Sequence, residues 1–225
     1  TDPPEIPTTV PNVTEPPVTK PPVTEPPVTE PPIPHEKFDA QKCAKLVGTW
    51  STTVTLDNKL MNFEFFYGKT SFTLYYTFDE NGWFRAHADK EEFETAVDTF
   101  EELVVEHMVH LRYISFKGQK EWEGYLSNDE INAMWQNGPE VEARNDCQEF
   151  VATLNLYYHC ADLLREGHYY VEGGKLFTQL ADGDFESSSY TAGKTSLTLR
   201  DSTNPQVYQL LNIRFPLILK AVEEA

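Results

Sequence analysis

Residues 46–56 read LVGTWSTTVTL, and Trp50, Thr52, Val54 and Leu56 fall on alternate positions within them. That two-residue period is the signature of a strand with one face on a core. The same period governs the residues that come next. In SFTLYYTF (71–78), Phe72, Leu74, Tyr76 and Phe78 share one face, and MNFEFFY (61–67) reads as a strand between these two. Asp79-Glu80-Asn81-Gly82 supplies a tight turn before WFRAHA (83–88), because glycine accepts the positive φ such turns require. The run from Leu46 to His87 is an antiparallel meander.

At Asp89 the period becomes helical. Asp89 and Glu92 have capping-box spacing. Phe93, Ala96, Val97, Phe100, Leu103, Val104 and Leu111 then lie on one stripe, with Gly118 as the expected stop. A second helix starts at Ser127, with Glu130 three residues on, and ends at Gly138-Pro139. A third follows Pro139, carries Cys147, Phe150, Val151, Leu154, Tyr158 and Ala161 on its apolar face, and ends at Gly167. Strands then resume. HYYVEGGKLFTQL (168–180) is a hairpin around Gly173-Gly174, followed by SSSYTAGKTSLTLR (187–200) and QVYQLLNIRFPLIL (206–219). Pro216 marks an edge or bulge in that last run.

The N-terminus is of another kind. Thirteen of the 16 prolines fall in residues 1–34, and from Val13 the chain repeats VTEPP, VTKPP, VTEPP, VTEPP. Paired prolines fix φ and remove donors, so this segment is expected to be a disordered stalk or linker of extended, polyproline type. Residues 35–225 remain to build one domain. The formal charge is −18, of which the domain carries −14 (31 acids against 17 bases). Such a surface repels phosphate backbones and anionic lipid, which argues against nucleic-acid partners. No apolar run reaches the ~18 residues of a membrane span. The chain begins at Thr1 with no methionine, as expected of a protein whose signal peptide has been removed. Cys43, Cys147 and Cys160 have no metal or redox spacing; they are expected as buried free thiols, with any single bridge using Cys43.

LVGTW, YTFDENGWFRAHAD, EGHYYVEGGKLFTQL, GKTSLTLRD and the final LILKAV together resemble the small lipocalin-like (calycin-like) barrels of secreted or lipid-anchored proteins from Gram-positive gut bacteria. Those chains are similar to this one in carrying a helical insertion after the "FDENG" strand and in their Thr/Glu/Pro-rich linkers. The resemblance implies a barrel with Trp50 at its closed end, beneath a ligand cavity, and an extracellular or cell-surface setting. Many small barrels fill their interiors instead. Phe63, Phe65, Phe72, Tyr76, Phe78 and Trp83 are bulky enough to do so.

Signals for chemistry are thin. Glu91-Glu92, Glu101-Glu102 and Asp182/Asp184 are the densest acids, and solvated helix faces or turns account for them. ADGDFESSS (181–189) spaces Asp182, Asp184 and Glu186 like a calcium loop but lacks its twelve-residue pattern. His107 and His110 stand at i, i+3 without a third ligand, so no metal site is assigned. No Gly-x-Ser-x-Gly is present, and cysteines on an apolar helix face are poor nucleophiles. Exposed members of the set Trp122, Tyr125, Trp135, Tyr157, Tyr158, Tyr169 and Tyr170 would mark a binding face.

The expectation is therefore an α+β domain: an antiparallel lipocalin-like barrel or curled sheet interrupted by a three-helix insertion at about 89–166. No catalytic residue, metal or cofactor is assigned. The expected role is a non-enzymatic extracellular binding module for a small apolar ligand or a protein or carbohydrate partner. A small-ligand cavity would be lined by Trp50, Phe72, Leu74, Phe78, Phe100 and Val104. The alternatives are a structural or protein-interaction domain with a filled barrel, and a surface hydrolase working through carboxylates.

Overall fold

A computed structural model describes residues 34–57, 68–124, 126–161, 163–211 and 213–223. The expected stalk before Pro34, the strand read at 61–67 with Phe63 and Phe65, and Tyr125 lie outside them. All the described residues belong to one unit, Pro32–Ala225.

Eight strands close into a barrel in chain order, each antiparallel to the next. They are β1 (Gly48–Leu56), β2 (Thr70–Phe78), β3 (Trp83–His87), β4 (Arg165–Glu172), β5 (Lys175–Gln179), β6 (Phe185–Ala192), β7 (Ser196–Leu199) and β8 (Leu217–Ala221). β1 and β2 pair along their whole length, from Gly48 opposite Phe78 to Leu56 opposite Thr70. Trp50 opposite Ala221 and Ser51 opposite Lys220 complete the circuit. Because side chains alternate across a strand, Trp50, Val54 and Leu56 turn inward with Phe72, Leu74, Tyr76 and Phe78, as the period of two predicts. Gly82 turns the β2–β3 hairpin at φ 84°, while the Asp79 carboxylate accepts from the Asn81 and Trp83 amides.

A short helix, α1 (Ala40–Cys43), seals the end that contains Gly48. Cys43 and Leu46 are buried there, and the Trp50 indole N–H donates to the Leu46 carbonyl at 2.8 Å. Phe38 stacks edge-on against Tyr169, 5.5 Å between centroids.

Between β3 and β4 the chain forms four helices: α2 (Lys90–Glu123), α3 (Asn128–Gln136), α4 (Pro139–Leu154) and α5 (Leu156–Ala161). The expected third helix is two, because Asn155 adopts a left-handed conformation (φ 49°) that an α-helix cannot continue through. Gly167 belongs to β4 rather than to a helix end. Gly118 does not stop α2. The helix runs on to Gly124, whose φ of 82° ends it and whose N–H donates to the Lys120 carbonyl. Lys117–Glu121 and Lys120–Glu123 pairs flank Gly118 and offset part of its poor helix propensity. Asp89 caps α2 through the Glu92 amide, but the Glu92 carboxylate does not return to close a capping box. It accepts instead from the Thr73 amide and hydroxyl, both at 3.1 Å, where β2 runs past the end of β3. Ser127 and Glu130 do form the reciprocal capping box of α3.

The last long strand predicted from the sequence is shorter in the fold. Residues Pro205–Leu210 are a helix, α6, and β8 starts only after Pro216. Proline at the first position suits a helix start, where its missing N–H costs nothing. Cys43, Cys147 and Cys160 are buried and free, with Cys147 and Cys160 on separate helices.

Candidate functional site

The barrel interior comes first, because the sequence places a cavity there. Trp50, Phe72, Leu74 and Phe78 do face inward, and Phe100 and Val104 lie on the inner face of α2; all six are at most 4% exposed and share one core. Phe93 of α2 meets Phe72 edge-on at 5.2 Å, so the helix closes onto the barrel end at Thr70. The Thr70 hydroxyl donates to the Ala96 carbonyl there. Bulky rings continue across the middle: Phe78 lies 5.0 Å from Tyr169 and 6.0 Å from Phe84. Five clefts of 240 to 440 Å³ formed by described residues draw none of their walls from the six expected residues.

The barrel also encloses a polar group that sequence reasoning missed. Arg165 opens β4, Glu186 sits on β6, and Tyr208 comes from α6; they are 8%, 3% and 1% exposed. Arg165 pairs with Glu186 through Nη2 and Oε1. The same carboxylate oxygen accepts from the Tyr208 hydroxyl at 2.8 Å and from Thr178 at 3.3 Å, and Oε2 accepts from Ser202 at 2.9 Å. The guanidinium also lies over the Phe84 ring. Burial, above all, drives the Tyr208 hydroxyl well above its ordinary pKa, so it stays protonated and available as a donor. A carboxylate with four donors, one of them a cation, is saturated, which suits a clasp better than a catalyst. It pins the 202–208 segment onto β4, β5 and β6 and shuts the second end of the barrel. Alternation in FESSSY already put Glu186 on the inward face with Ser188 and Tyr190; that was the available signal. Asp182 and Asp184 are exposed in the turn before β6 whereas Glu186 is buried within it, so the three acids of the calcium-like loop do not converge.

The remaining chemistry candidates are dispersed. His107 is half-buried and His110 exposed on α2, and among the described residues no His, Cys, Asp or Glu group is arranged to hold a metal. Burial pushes the Cys160 thiol up to about 12, far from a reactive thiolate.

Of the aromatic set, Tyr169, Tyr170 and Trp135 are buried, whereas Tyr158 is 61% and Trp122 91% exposed. Trp122 belongs to a pattern. Along α2, Phe93, Ala96, Phe100 and Val104 form the stripe that packs on the barrel. The same three- and four-residue steps continue through His107 to Leu111, Ile114, Gly118 and Trp122. A helix of 34 residues is about 51 Å long and outruns the barrel. Its distal half packs a different face on α3 and α4, where Tyr113 and Phe116 meet Trp135 at 5.6 and 5.3 Å. Arg144 of α4 braces this arm by reaching Glu102 and Glu106 at 3.1 and 2.7 Å. The original stripe is left bare, with Leu111 45% and Ile114 52% exposed. Compared with known proteins, the chain matches no family model, no curated protein and no solved structure.

Proposed function

We propose that this chain is a non-enzymatic, protein-binding module that works through its helical arm, with a filled, lipocalin-like barrel as the rigid scaffold. One observation carries the reading: the apolar stripe of α2 is buried from Phe93 to Val104 and continues bare through Leu111, Ile114 and Trp122. An apolar face rimmed by polar residues on a braced helix is the usual form of a contact surface, and a large exposed aromatic is a common anchor of one. The inward positions of the barrel are taken by rings and by the Arg165–Glu186–Tyr208 clasp, which supports a scaffolding role rather than a small-ligand cavity. The Pro-rich residues 1–34 and the resemblance to lipocalin-like domains of Gram-positive surface proteins favour an extracellular or cell-surface setting, with the domain held out on a stalk.

The test is selection from a random peptide library on the intact chain and, in parallel, on the Leu111→Ser/Ile114→Ser/Trp122→Ser variant. Binders are expected to be enriched on the intact chain and lost on the variant. Binders retained equally by both would refute the arm as the contact surface.

A further inference from the structure

We infer that the partner of this arm is a cationic amphipathic helix of another protein. This rests on the interaction reading above and adds the partner's chemistry to it. Between Asp89 and Ala161 there are 16 acids and five bases, so the insertion holds most of the domain's negative charge. Each of those five bases is already engaged within the insertion: Lys90 with Glu94, Arg112 with Asp146, Lys117 with Glu121, Lys120 with Glu123, and Arg144 with Glu102 and Glu106. Among the described residues Asp129, Glu140, Glu142 and Glu149 have no cation within ion-pair distance. The acids left without a cation are spread along the insertion, with Glu91, Asp98 and Glu101 on the barrel half of α2 and Asp129, Glu130, Glu140, Glu142 and Glu149 on α3 and α4, which pack on a face of α2 other than the stripe. Ser115 and Gln119, one step round α2 from the stripe, line a cleft of 350 Å³ that has Phe116, Trp135 and Pro139 in its walls; its charged residues are Glu142 and the paired Arg112 and Asp146, so it keeps one acid in excess. The net charge of −11 on the insertion therefore sets the sign of the field met by a partner whose apolar side chains settle on Leu111, Ile114 and Trp122, and the arm has no uncommitted base to offset it. Lys and Arg are the residues such a field selects.

Shape narrows the form of the partner. From Leu111 to Trp122 the stripe rises about 16 Å over three turns, the contact length of a helix of about 15 residues with apolar positions at i, i+3, i+4 and i+7. Gly118 at its centre has nothing within 4 Å of an added Cβ, which leaves room for a second helix to approach closely. The two other occupants fit worse. A second copy would set one acidic insertion against another. Residues 1–34 carry five acids against one base and 13 prolines, and cannot supply a basic helix.

The probe is a Leu/Lys peptide of about 15 residues with that apolar spacing, beside a Leu/Glu peptide of the same pattern, each titrated into the full chain and followed by tryptophan emission and peptide anisotropy. The expected result is binding of the Leu/Lys peptide alone, weakened by salt and reduced at least about tenfold by Leu111→Ser/Ile114→Ser/Trp122→Ser. That variant leaves the charge unchanged and alters exposed residues; its thermal melt checks that it folds. Equal binding to chain and variant would mean adhesion by charge alone and would overturn the inference. Binding of the Leu/Glu peptide, or stripe-dependent self-association in sedimentation, would overturn the cationic partner yet leave the arm as the contact surface. Failure of a folded chain to bind either peptide would overturn it as well. Peptides selected from the random library then separate the two levels: stripe-dependent binders without Lys or Arg would keep the arm and reject the cationic helix.

Discussion

At the scale of single residues, the fold depends on one buried ion pair with no slack. Glu186 receives Arg165, Tyr208, Thr178 and Ser202, whereas the Nε of Arg165 finds no acceptor among the described residues. Removing one partner leaves the other charge buried and unpaired, so Glu186→Ala is expected to cost about 3–5 kcal/mol in a urea titration. The Arg165→Met/Glu186→Leu double substitution is expected to cost much less than the sum of the single losses, because it leaves no orphan charge. A second residue-scale effect is acid sensitivity. Burial first, and the neighbouring His35 second, hold the His168 imidazole below its ordinary 6.5; burial and then Arg85 do the same to His87. Between their folded values and 6.5 the unfolded chain binds more protons than the folded one. Stability is therefore full above about pH 6.5 and falls as the pH drops through the folded values. Asp201, held low by the Ser189 amide and hydroxyl, loses its contribution only further down, in the carboxylate range. Urea midpoints are expected to decline already between about pH 7 and pH 5, and His87→Gln/His168→Gln should flatten that part of the curve.

At the scale of elements, α2 shows which sequence signals decide and which are overruled. The alternation of Trp50 with Leu56 and of Phe72 with Phe78 was legible because the two strands pair directly and turn these residues to one inner face. Gly118 looked like a stop because glycine is a weak helix former, but nothing at that position needs a positive φ, whereas Gly124 adopts one. Gly118→Ala should therefore stabilise the chain by about 0.5–1 kcal/mol, since the added Cβ meets open space. A thermal melt reads this directly, and a loss of stability would mean that the helix is not continuous there. Asn155 broke the third helix by a local left-handed turn that composition does not announce. QVYQLL reads equally as strand or helix over so short a run; Pro205 and the burial of Tyr208 decided it. The clasp was hidden for a related reason. Its members come from two strands and a helix 21 to 43 residues apart, and only closure of the barrel brings them together.

At the scale of the whole molecule, two ends are shut and one arm is open. α1 and Trp50 close the end at Gly48, while α2 and the Tyr208 clasp close the other. The arm then extends the barrel-facing stripe beyond the barrel. The sequence could place Leu111 on that stripe but not expose it, because exposure depends on where the barrel ends, and that is set by strands far from α2 in the chain. Trp122 was named among the aromatics for the same reason without a face assigned to it. The proposed function divides labour between a filled scaffold and an exposed helix, so the contents of the barrel are the sharpest check on that proposal. Native mass spectrometry of the full chain, beside a denatured control, reads those contents. A filled barrel gives the mass of the polypeptide alone in both; extra non-covalent mass that disappears on denaturation would place a ligand in the barrel and contradict the scaffold role.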